Sequence, residues 1–127
     1  MAGQRLMLGF DGVELNRDLK YIINGIKACG IILFKRNIET PEQVAFLCKS
    51  CQGYAKSCGL PPLFIAVDQE GGTVARLQKP FTIFRGNPYI VSVEDAKHFA
   101  LITADELHQA GINMNFAPVL DIDPGLV

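Results

Sequence analysis

Asp68 follows the apolar run 63–67 (Leu-Phe-Ile-Ala-Val) and opens the stretch Asp68-Gln69-Glu70-Gly71-Gly72, with Arg76 eight positions after it. An acid at the end of a buried strand has its rotamer held by the scaffold. A carboxylate accepts hydrogen bonds from hydroxyls, and a guanidinium donates to ring and hydroxyl oxygens, so an Asp/Arg pair suits a polyhydroxylated ligand. Gly71-Gly72 permits positive φ and close approach of a ligand to the backbone. The plainer readings are a tight turn whose carboxylates cap nearby amides and a surface ion pair worth only ~0–1 kcal/mol. A phosphate cradle is disfavoured, because neither GxGxxG nor GxxxxGK[ST] is present and the acids before the glycines repel phosphate.

Two further sets of residues bear on chemistry. Asp121 follows the run 113–120 (Asn-Met-Asn-Phe-Ala-Pro-Val-Leu). Neighbouring strands lie ~4.8 Å apart, so Asp68 and Asp121 at sequential strand ends fall near the ~5–5.5 Å of a retaining glycosidase pair. That arrangement would make the chain an enzyme by itself, although an open half-barrel shields neither acid from water. Cys48-x-x-Cys51 has the spacing of half a zinc site, but it lies inside a helical pattern. No second CxxC follows, and His98 and His108 sit on another segment. Buried apolar thiols are the expectation, with no metal and no cofactor.

The elements that position these residues alternate. Residues 5–10 end at Asp11-Gly12, a strand and a turn. Residues 15–27 carry apolar side chains at helical spacing. Residues 30–34 (Gly-Ile-Ile-Leu-Phe) read as a strand buried on both faces. Thr40-Pro41 with Gln43 marks a helix start, and the helix runs to about Ser57. Gly59 closes it and Pro61-Pro62 prevents its continuation. Residues 63–67 form another buried strand, and residues 68–80 a polar, glycine-containing loop. Ser92 caps a helix over 93–110, with Ala96, Phe99, Ala100, Thr103, Leu107 and Ala110 inward and Gly111 just beyond. Residues 113–120 are read as a further strand. The order β-α-β-α-β-loop-α-β implies an α/β fold with about four parallel strands alternating with helices. Periodicity alone leaves a small open sheet and half a barrel as alternatives. In both, function gathers at the carboxyl ends of the strands.

Composition narrows the partners. The chain has 127 residues, 49% hydrophobic and 20% charged, and a formal net charge of −1. It is too short for a complete (β/α)₈ barrel of about 250 residues. The charge balance lacks the footprint of a nucleic-acid binder. The apolar runs are far below the ~20 residues of a membrane span. Without a secretory h-region, and with four cysteines expected to be reduced, the cytoplasm is the expected location.

Three stretches carry a resemblance: Gly30-Ile31-Ile32-Leu33-Phe34-Lys35-Arg36-Asn37; Ala66-Val67-Asp68-Gln69-Glu70-Gly71-Gly72-Thr73-Val74-Ala75-Arg76; and Gly111-Ile112-Asn113-Met114-Asn115-Phe116-Ala117-Pro118-Val119-Leu120-Asp121. In this order and spacing they closely resemble glycoside hydrolase family 3, in its β-N-acetylhexosaminidase (β-N-acetylglucosaminidase) branch, from about Gln4 to Pro124. The resemblance implies that residues 1–127 hold the first half of a TIM (β/α)₈ barrel. It also implies a parent glycosidase that removes terminal β-linked N-acetylglucosamine with retention, often from cell-wall fragments in bacteria. By motif position, Asp68 resembles the carboxylate that binds sugar hydroxyls and Arg76 the arginine beside it. Asp121 and Glu70 are read as support for the site, and Asp121 is not the nucleophile. The family's histidine-rich acid/base motif and its nucleophilic aspartate lie downstream of anything in this chain. No catalytic residue is therefore assigned, and the chain alone is expected to be inactive. Lys97-His98-Phe99 echoes the first of those motifs but falls within a predicted helix and is read as chance. The alternative is a non-catalytic sugar binder or a half-barrel whose unpaired edge invites self-association.

Overall fold

The computed structural model describes residues 2–121. Four parallel strands form one sheet in the order β1 (Met7–Leu8), β2 (Gly30–Leu33), β3 (Phe64–Val67), β6 (Met114–Asn115). Gly30 pairs with Phe64, Leu33 with Val67, and Val67 in turn with Asn115. Each new strand adds to the same edge, so the order never reverses as it does in a doubly wound sheet. That excludes the doubly wound order and is the arrangement of half of an α/β barrel.

The three helical segments cover one face. The first begins as α1 (Arg17–Lys20), capped by Asn16, and relaxes into π geometry over Tyr21–Ile26. The helix α2 (Pro41–Ser57) is capped by Thr40, whose hydroxyl accepts from the Gln43 N–H. The helix α3 (Val93–Gln109) is capped by Ser92 in the same way through Asp95. Both long helices stop in Schellman motifs. Leu60 N–H reaches Ala55 O and Gly59 N–H reaches Lys56 O, while Ile112 and Gly111 do the same to Leu107 and His108. Gly111 has φ +76°, and a Cβ there would stand 2.8 Å from Cys48 Cβ, so glycine both ends α3 and lets it close on α2.

Leu19, Ile23, Val44, Leu47, Cys48, Cys51 and Leu107 pack onto Ile31, Leu33, Ile65 and Val67 to form the core. Alternation puts Ile32 and Phe64 on the opposite face, the one that turns toward a barrel interior. Phe64 is 49% exposed there.

Some boundaries differ from expectation. The first strand spans only Met7–Leu8, because Gly3–Arg5 form a 3₁₀ turn. The polar loop at 68–80 contains a hairpin, β4 (Gln69–Gly71) against β5 (Val74–Ala75). The last strand stops at Asn115: Phe116 N–H makes one more bond to Val67 O, and Pro118 has no N–H to continue the ladder. Of the residues expected to face inward on α3, Phe99, Thr103, Leu107 and Ala110 are buried, but Ala96 and Ala100 are exposed. Phe84 packs on His98 and Phe99 at that end, while Ala96 and Ala100 open onto a hollow.

Candidate functional site

The site is built at the carboxyl end of β3. Val67 is fully buried. Asp68 comes next, and continued alternation sets it on the face opposite Val67. The chain then turns through the β4–β5 hairpin. Gly71 and Gly72 have φ +87° and +61°, and Gly86 at +96° packs against them so tightly that a Cβ on Gly71 would lie 2.9 Å from Gly86 N. Gly72 N–H donates to Phe84 O at 2.8 Å and ties the hairpin to the returning chain.

Gln69 does most of the folding back. Its buried side chain accepts from Arg76 N–H (2.9 Å) and Leu77 N–H (3.0 Å) and donates to Leu77 O (3.2 Å). Its backbone is held from the neighbouring strand: Gln69 N–H donates to Asn115 Oδ1 at 3.0 Å, and Asn115 Nδ2 donates to Gln69 O at 3.2 Å. Asn113 repeats the device two residues earlier, accepting from Ile65 N–H and donating to Leu63 O. These amides replace ladder that β6 is too short to supply.

The outcome is a meeting of the two expected side chains. Arg76 Nη2 lies 3.0 Å from Asp68 Oδ2, with the side chains 29% and 21% exposed. This partial burial distinguishes the pair from the surface pairs elsewhere on the chain, such as Arg17–Asp18 at 98% and 83%. Asp68 keeps lone pairs free for hydroxyl donors, and Arg76 keeps N–H groups free for oxygens.

The structure does not bring the two supporting acids onto this pair. Glu70 is half-buried on β4 and lines an adjacent cleft of about 430 Å³ with Gly71, Gly72, Arg85 and Tyr89. The Arg85 guanidinium stacks 3.7 Å from the Tyr89 ring centroid in that cleft. Asp121 is exposed and follows β6 only after residues 116–120. It does not end a strand, so the strand-spacing argument for an Asp68–Asp121 pair loses its premise. His98 lies within α3, edge-on to Phe84 at 5.8 Å. Burial, then the neighbouring thiol, pushes Cys48 up to about 12, and burial does the same to Cys51. Both stay protonated and pack as small apolar groups.

A larger cavity, about 570 Å³, lies elsewhere among the described residues. Ala96, Phe99 and Ala100 of α3 form one wall, and Val119 and Leu120 another. Its apolar lining suits packing rather than hydroxyl recognition, so the chemistry is assigned to the β3 end and not to the bigger hollow.

Sequence reasoning missed Gln69, Asn113 and Asn115 as site builders. The signal was available: amides inside or beside buried strands must find partners.

Residues 3–124 match the glycosyl hydrolase family 3 N-terminal domain. The chain belongs to this family. It is 35% identical to a beta-hexosaminidase of Alkalilimnicola ehrlichii over 95% of its own length and 36% of that protein's. It superposes on a glycoside hydrolase family 3 beta-N-acetylglucosaminidase from Paenibacillus with a TM-score of 0.90 and 43% identity, covering 94% of this chain and 23% of that one. NagZ from Neisseria gonorrhoeae, solved in complex with N-trifluoroacetyl-D-glucosamine, is similar at a TM-score of 0.78 and 29% identity, over 94% of this chain and 37% of that one. The chain spans about a third of the length of the curated relatives it matches.

Proposed function

We propose that the full-length protein is a retaining β-N-acetylglucosaminidase acting on terminal β-linked N-acetylglucosamine of glycans or cell-wall fragments, and that this chain carries part of its sugar subsite. The observation that carries the reading is the half-buried Asp68–Arg76 pair at the end of β3. It is supported by membership of family 3 and by likeness to proteins named for that activity.

In this reading Asp68 accepts hydrogen bonds from sugar hydroxyls, and Arg76 holds the carboxylate and donates to the same sugar. Glu70 and Asp121 support the site from further out. These groups orient the sugar and supply binding energy, and they transfer no proton. A carboxylate from a later part of the protein attacks the anomeric carbon, and water hydrolyses the glycosyl-enzyme. The 127-residue chain alone is inactive. Its four free thiols suit a reducing compartment, and we place the protein in the cytoplasm.

Hydrolysis of a chromogenic β-N-acetylglucosaminide by the full-length protein tests the reading. Asp68→Ala removes two charged hydrogen bonds and is expected to lower kcat/KM about a thousandfold, or ~4 kcal/mol. Near-wild-type turnover by a folded Asp68→Ala variant overturns the assignment.

One observation favours a second behaviour for the chain in isolation. The apolar hollow beside α3 leaves Leu120 87% exposed and Val119 41% exposed, and exposed apolar surface of this kind marks an association site. The isolated chain is expected to self-associate in light scattering, and Ala100→Glu to shift it toward monomer. A monodisperse wild-type monomer counts against this.

A further inference from the structure

The rim of the sheet holds one side chain that the proposed chemistry has not used. Phe34 follows β2 directly, and two guanidinium groups lie over its ring. Arg36 Cζ is 4.8 Å from the ring centroid and Arg76 Cζ is 6.0 Å from it. Each cation also has its own carboxylate: Arg36 Nε sits 2.7 Å from Asp11 Oδ1, and Arg76 Nη2 3.0 Å from Asp68 Oδ2. One phenyl ring thus joins ion pairs that begin at three successive strand ends.

The ring is itself firmly placed. Phe34 N–H donates to Asn37 Oδ1 at 2.9 Å. Asn37 is fully buried and donates to Phe10 O and Gly12 O at 3.1 and 2.8 Å. Gly9 leaves the space the ring occupies, since a Cβ there would come 3.1 Å from Phe34 Cε2. Arg76, by contrast, is loosely tied. It reaches Asp68 through one N–H, and its Nε is buried without a hydrogen-bond partner. A long side chain pinned at a single point keeps rotational freedom, which costs precision wherever a planar fork must be aimed. The phenyl ring stands at the outer edge of cation–π range from Arg76 Cζ, 6.0 Å away, and limits the directions in which that guanidinium can swing.

We propose that Phe34 is a positioning residue that holds the Arg76 guanidinium, and through it the Asp68 carboxylate, in the geometry the sugar subsite requires. This rests on the assignment of Asp68 and Arg76 as the sugar-holding pair. Phe34 acts through Arg76, so its replacement is felt as lost alignment, where a displacement of ~1 Å can cost about a hundredfold. A merely structural Phe34, filling the space above Gly9, would change stability and leave the pair as it is.

Phe34→Leu keeps most of the apolar bulk and removes the ring, while Phe34→Tyr keeps the ring. In the full-length protein, Phe34→Leu is expected to lower kcat/KM for an aryl β-N-acetylglucosaminide about tenfold and raise the Ki of free N-acetylglucosamine by a similar factor. Phe34→Tyr should stay within about threefold of wild type. The second readout needs no substrate. The Arg76 Nε–H resonance should be resolved and slowly exchanging in wild type and Phe34→Tyr, and should join the signals of exposed arginines in Phe34→Leu. A folded Phe34→Leu protein with an unmoved Arg76 resonance and an unchanged Ki overturns the proposal. If Phe34→Leu does not fold, Phe34→Met takes its place. If the wild-type full-length protein hydrolyses no β-N-acetylglucosaminide, the functional reading fails and the Arg76 resonance alone decides the role of Phe34.

Discussion

The ends of β3 and β6 are neighbours in one parallel sheet, and each is followed by an aspartate, yet only one of those aspartates has been built into something. After β3 the chain turns at once. Asp68 meets Arg76, Gln69 fastens three backbone groups of the returning strand, and the glycines of the hairpin let the chain pack on itself. After β6 the ladder gains a single bond at Phe116 and then ends, and Leu120 and Asp121 are exposed. The two acids have the same intrinsic chemistry. What separates them is the number of groups that fix the backbone beneath them, and a carboxylate that is not held cannot impose a geometry on a sugar.

The comparison is broken most severely by removing what holds the first acid without touching it. Gln69→Ala leaves Arg76 N–H, Leu77 N–H and Leu77 O without their partners in a buried place. The expected cost is about 3 kcal/mol of stability in chemical denaturation. Because Arg76 then loses its anchor, kcat/KM of the full-length protein is expected to fall about a hundredfold even below the denaturation range. A Gln69→Ala protein that is destabilised but kinetically normal would mean that Asp68 and Arg76 find each other unaided.

How much of this contrast was legible in the sequence follows from the range of the forces involved. Thr40, Ser92, Gly59 and Gly111 announced their helix ends because capping is settled by the nearest few residues. Spacing made the meeting of Asp68 with Arg76 possible only if the loop folds back over the strand end, which Gly71 and Gly72 permit but do not dictate. The hairpin inside that loop was not legible, because Gln69–Gly71 and Val74–Ala75 are too short to show alternation. Residues 116–120 misled in the opposite direction. Their apolar composition matches a strand, but Val119 and Leu120 instead line the open hollow beside α3. Composition records which residues seek burial, and it does not record where the covering surface lies. The same reason explains Ala96 and Ala100, whose helical spacing was read correctly as a stripe and wrongly as a buried one. Asn113 and Asn115 were absorbed into a strand reading that had no use for their amides, although those amides carry the cross-strand bonds.

The smallest expected effect sharpens the contrast from the other side. Asp121→Asn keeps the shape and exposure of the side chain and removes its charge. An exposed charge with water as its main partner contributes little to holding anything, typically ~0–1 kcal/mol. In the full-length protein the expected loss in kcat/KM is therefore about fivefold or less, against about a thousandfold for Asp68→Ala in the same assay. A ratio that large would separate the aspartate that directly follows β3, held through its Arg76 partner, from the exposed one six residues beyond β6. A hundredfold loss on Asp121→Asn would instead mean that the intact protein folds residues 116–121 back over the strand ends, and that the second acid acquires its constraints from surfaces supplied by the rest of the molecule.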